Sequence, residues 1–113
     1  MTTAAMKGYP VTLQSAQTTG NGTVLAIPPN FRYHKIIIKG ASGVTAGAIQ
    51  PESADAVDYA GTWAPIGGGP ISVGNNIEKE YSWEGVMSFF RARISTTVSG
   101  GATPSVTVTY IGH

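Results

Sequence analysis

The chain of 113 residues contains no cysteine. A disulfide framework and a thiolate metal site are therefore excluded. Charge is also scarce: Lys, Arg, Asp and Glu together make 12%, about half the usual share for a soluble domain. The formal net charge of +1 argues against wrapping duplex nucleic acid, which needs many neutralised phosphates. No apolar run approaches the roughly 20 residues that a membrane-spanning helix requires. Met1 to Met6 has neither a basic nor an apolar leader region, so no signal peptide is expected. Internal repeats, heptads and blocks of like charge are missing as well.

Catalytic signatures are equally sparse. There is no His-Glu-x-x-His motif and no Gly-x-Ser-x-Gly elbow. Gly67-Gly68-Gly69 lacks the Gly-Lys-Ser/Thr of a phosphate loop. Only two histidines occur, whereas a zinc site needs three or four convergent ligands. The expectation is a protein that is not an enzyme, with no cofactor and no metal.

What the chain does contain is β-strand patterning. The 15 glycines and 7 prolines are too many for a helical bundle and punctuate strands and loops. From Ser88 to Ile111, Phe90, Ala92 and Ile94 alternate with Arg91 and Arg93; later Val106, Val108 and Tyr110 alternate with Thr107 and Thr109. Each run reads as a strand with one apolar face. The turn residues Ser99 to Pro104 between them predict a C-terminal antiparallel pair sharing a face on the core. Phe31 to Gly40 is a second strong strand; the run Ile36-Ile37-Ile38 needs cover on both faces and predicts a central position. Further strands are expected at Tyr9–Gln14, Thr23–Ile27, Val44–Gln50, Tyr59–Ile66, Ile71–Val73 and Ile77–Trp83. The sum is an all-β, antiparallel β-sandwich, jelly-roll-like, with seven to nine short strands. One domain over residues 9–113 follows a flexible N-terminal arm over residues 1–8, which either frays or orders on a neighbour.

Individual polar residues have ordinary readings. His34 shares a face with Ile36 and Ile38, which predicts a buried, hydrogen-bonded side chain or a polar group at the sheet edge. Glu78 and Glu80 share a solvent-facing strand face. Pro51 to Asp58, acidic and small, reads as a solvated loop or one short helical turn. Arg91 and Arg93 form a small basic patch beside Phe89, explained by pairing with Glu78 or Glu80 on a neighbouring strand. Single-stranded nucleic acid on such a patch is a weaker reading. Trp63, Trp83, Tyr59 and Tyr81 suit core or interface packing, or a sugar-stacking platform.

The run Tyr81-Ser82-Trp83-Glu84-Gly85, then Phe89-Phe90-Arg91-Ala92-Arg93-Ile94, a Ser-Gly-Gly turn and Val106-Thr107-Val108-Thr109-Tyr110-Ile111-Gly112 resembles small jelly-roll decoration (cement) proteins of tailed-phage capsids. The segment Gly22-Thr23-Val24 to Lys39 is similar in style. The resemblance implies a non-enzymatic virion structural protein, assembled in the bacterial host cytoplasm. Its implied partners are the major capsid protein and copies of itself, as a homo-oligomer on the virion, without nucleic acid or membrane. Scarce surface charge and the possible arm fit that role. Partner contacts are then expected at Met1, Met6, Tyr9, Val57, Tyr59, Trp63, Pro65 and Ile66. A phage tail or fibre component, or a carbohydrate- or receptor-binding sandwich module, is the alternative.

Overall fold

A computed structural model describes residues 3–56 and 59–113. These form an all-β sandwich of ten strands: β1 (Thr3–Ala4), β2 (Val11–Gln17), β3 (Leu25–Ala26), β4 (Tyr33–Gly40), β5 (Ala46–Ala54), β6 (Ala64–Pro65), β7 (Ile71–Ser72), β8 (Glu78–Glu84), β9 (Phe89–Ser99) and β10 (Val106–Gly112). One sheet runs β1-β3-β9-β5-β6, with β7 also on β5; the other runs β2-β10-β4-β8. Apart from the parallel pair β1/β3, every pairing is antiparallel.

The pairing is nested. Setting β1 aside and counting β6 and β7 as one, the first strand pairs with the last (β2 with β10). The second pairs with the seventh (β3 with β9), the third with the sixth (β4 with β8), and the fourth with the fifth (β5 with β6 and β7). A long hairpin rolled up on itself gives this order, so the sandwich is jelly-roll-like.

The apolar alternation lies where the strand period puts it. Phe90, Ala92 and Ile94 of β9 face Ile36, Ile38, Val106, Val108 and Tyr110 of the opposite sheet across a shared core. Each such fully buried large side chain contributes about 1.5–3 kcal/mol relative to an exposed one. Strand β4 is central, between β10 and β8, as Ile37 required.

Several expectations are corrected. β9 and β10 are not a hairpin: they lie in different sheets, and the Ser99 to Pro104 segment crosses between them. Their apolar faces meet across the core and not side by side. Pro51 to Ala54 is neither loop nor helical turn but the end of β5. Pro51 is tolerated there because its carbonyl accepts from Ile66 N at 2.9 Å. The side of Pro51 that lacks an N–H therefore faces the fragmentary β6/β7 edge and not β9. Of Tyr59–Ile66, only Ala64–Pro65 is strand. From Thr3 on, the segment expected as an arm over 1–8 is built into the sandwich. β1 pairs with β3, Ala5 is buried, and Gly8 N donates to Gly112 O at 2.8 Å.

Candidate functional site

The two ends of the sandwich differ. One end is made by the Met6–Tyr9 turn, the start of β4, the chain's end at His113, and the connections β5–β6 and β8–β9. Local hydrogen bonds hold it together. Tyr9 N donates to Met6 O at 3.1 Å, Tyr33 N to His113 O at 2.9 Å, and Gly85 N to Arg32 O at 2.9 Å. Among the described residues six large hydrophobic side chains are exposed, and five belong to this end: Met6, Tyr9, Tyr33, Tyr59 and Val86, at 47% to 66% exposure. The sixth, Ile77, is at the opposite end, where β8 begins. Exposed apolar side chains gathered in one region mark a surface meant to be covered.

Beside this end a cleft of about 300 Å³ opens between β8 and β6, lined by Ser53, Pro65, Ile66, Trp83, Val86 and Met87. Trp83 forms its inner wall. His34 and Tyr81 both stack against the indole, at centroid distances of 5.4 and 5.5 Å, and Phe90 tilts against it at 5.2 Å. With neighbours on these sides, Trp83 is a packing residue that offers little open face for a sugar. Next to Ile66 of the cleft wall, Gly67 has φ of 83°. A side chain there would run into the Tyr81 hydroxyl, so the loop can cross Tyr81 only as glycine.

His34 is buried, as its place on the Ile36 and Ile38 face predicts. Its Nε2 lies 2.8 Å from the Gly85 carbonyl and its Nδ1 2.6 Å from the Tyr110 hydroxyl. A carbonyl only accepts, so Nε2 carries a proton; where Nδ1 carries none, the Tyr110 hydroxyl is its donor. The imidazole thereby bridges the core and the β8–β9 connection. Burial pushes the Tyr110 phenol well above its ordinary value.

The outer face of the six-stranded sheet corrects three expectations. Glu52 is not a solvated loop residue: it is 6% exposed on β5. Arg91 and Arg93 pair with Glu52, not with Glu78 or Glu80; Arg91 Nε is 2.8 Å from one carboxylate oxygen and Arg93 Nε 3.1 Å from the other. Register sets this, since Glu52 stands opposite Arg91 and Gln50 opposite Arg93. Trp63 is not a contact residue. It is 3% exposed, its Nε1–H donates to Tyr59 O at 3.1 Å, and the Arg91 guanidinium lies 4.2 Å from its ring centroid. The β5–β6 connection thus folds back and caps the ion triad with an indole.

The other expected contacts divide. Met6, Tyr9 and Tyr59 are exposed at the apolar end, Pro65 is exposed on β6, and Ile66 is half-buried in the cleft wall. Met1 and Val57 lie outside the described residues. Tyr33 and Val86 belong to the same end but were missed. Tyr33 reads as the solvent face of a strand and Val86 as filler before the last strands; only their apolar character next to turns signalled them.

Among the described residues, no group of three His, Asp or Glu side chains is placed to hold a metal ion. Among the same residues no helix is long and apolar enough to cross a membrane. Comparison with protein-family models, with curated proteins and with solved structures gave no match.

Proposed function

We propose that this protein is a non-enzymatic structural component of a tailed-phage virion. In this reading it is a decoration, or cement, protein that binds the major capsid protein and neighbouring copies of itself and stabilises the shell by bridging subunits. The observation that carries the reading is the gathering of Met6, Tyr9, Tyr33, Tyr59 and Val86 at one end of the sandwich. A face of that kind suits burial against a partner. The rest of the surface supports it: charge is sparse, and Glu52, Arg91, Arg93 and Trp63 are engaged with one another. The jelly roll is also an architecture used in capsid proteins, which is support by analogy of fold. On a closed shell each weak contact is repeated by symmetry, so modest single affinities accumulate. The protein then acts in the virion, after assembly in the host cytoplasm. The test is thermal disassembly of capsids that lack this protein, with and without added chain. A higher disassembly temperature that saturates with dose supports the role; an unchanged temperature at saturating dose rejects it.

A further inference from the structure

Among the described residues the sandwich has one long, regular open edge, and it is β8. The other edges are blunted. β1, β6 and β7 have two residues each, and β2 carries two register shifts against β10, with Ala16 at φ 51°. β8 pairs with β4 over seven residues without a shift. Tyr33 N donates to His113 O, so the Tyr33 backbone faces β10. Glu84, opposite Tyr33, therefore turns its N–H and C=O away from β4, and ladder alternation does the same for Ser82 and Glu80. Their side chains are exposed on the outer face, while Tyr81 and Trp83 point inward beside the cleft of about 300 Å³.

We propose that β8 is a strand-addition site for an extended segment of another protein, with basic residues on one face and apolar residues on the other. Added antiparallel to β8, such a segment pairs its backbone with Glu80, Ser82 and Glu84. Its basic side chains stand beside Glu78, Glu80 and Glu84, and its apolar side chains enter the cleft next to Tyr81 and Trp83. The acidic row also decides against a second copy. Two β8 strands paired antiparallel about Tyr81 set Glu78 against Glu84 twice, and like charges opposite one another repel. Inward-pointing Lys79 adds to that protection, as charges on open edges do. The inference stands apart from the capsid reading, because neither its geometry nor its test involves a capsid.

The probe is a capped heptapeptide, Lys-Leu-Ser-Leu-Lys-Thr-Lys, titrated into the whole chain and followed by amide hydrogen exchange. Saturable binding with new protection at the amides of Glu80, Ser82 and Glu84 is expected. The same peptide with Glu for Lys should not bind. Ser82→Pro removes an N–H that faces solvent, so the fold is kept and the protection is lost. A triple Gln variant at Glu78, Glu80 and Glu84 should bind about tenfold more weakly. Equal binding of the acidic peptide, binding without protection at these amides, or no binding at millimolar peptide overturns the proposal. So does dimerisation of the chain alone that protects the same amides, which makes a second copy the occupant.

Discussion

The Gln14 side-chain amide, on β2 of the four-stranded sheet, donates to the Ala92 carbonyl on β9 of the other sheet at 2.8 Å, and again to Gly20 O at 3.1 Å. Ala92 stands opposite Pro51, and in that register its carbonyl points away from β5, into the gap between β3 and the Gly20 bridge to Ile94. No strand reaches it there, so a buried side chain does. Gln14→Ala leaves that carbonyl unpaired and opens a cavity, and the expected loss is about 2–3 kcal/mol of stability. Urea unfolding measures it; a loss below half a kcal/mol would show that water replaces the amide without cost.

The ion triad gives a second test. Glu52 is buried between Arg91 and Arg93, and Glu52→Ala strands two guanidinium groups against a covered sheet face. The expected loss is about 3 kcal/mol, since removing one partner of a buried pair leaves uncompensated charge. Trp63→Ala should cost a similar ~3 kcal/mol by uncapping Arg91, with no change in any glycan interaction. Denaturant midpoints and a glycan screen separate these outcomes.

Alkaline stability reports on Tyr110. Its phenol is held protonated in the fold by burial. The folded value lies above the unfolded one, so the folded state binds more protons at high pH. This contribution is complete below the unfolded tyrosine value of about 10 and is lost as pH climbs from there towards the folded value. Stability should therefore decline above pH ~10, and Tyr110→Phe should flatten the decline while costing about 1–2 kcal/mol at neutral pH through the orphaned His34 Nδ1. An equally steep alkaline decline in Tyr110→Phe would assign it to other groups.

Backbone approach makes a fourth test. A side chain on Gly40, at the end of β4, would collide with the Gly74 carbonyl and with Val73. Gly40→Ala forces main chain to move, so a loss of about 3 kcal/mol is expected from thermal unfolding.

Sequence made the strand faces legible and left their partners obscure. Phe90, Ala92 and Ile94, like Val106, Val108 and Tyr110, lie on the core as their alternation requires. Nothing in Ser99 to Pro104 distinguishes a hairpin turn from a crossing between sheets, because both use the same small, flexible residues. Glu52 looked solvated because Ser53 and Asp55 flank it; only the register opposite Arg91 reveals its burial. Pro51 argued for a loop because a proline in a strand is acceptable only when its missing donor faces an edge, and that is settled by tertiary pairing. Met6, Tyr9 and Tyr59, expected as contacts because they are large apolar residues beside turns, are exposed. Trp63 carried the same signal and is buried instead, since a guanidinium two strands away draws the loop back.

In the proposed role the apolar end is what docks on a capsid. The most direct measurement is co-sedimentation with capsids lacking this protein, comparing the native chain with a Tyr9→Glu, Val86→Glu double variant and with Ile77→Glu at the opposite end. The account predicts saturable binding of the native chain, retention by Ile77→Glu, and loss of about 100-fold or more in the double variant, as expected for desolvated carboxylates in an apolar contact. Binding of all three alike, or of none, contradicts it.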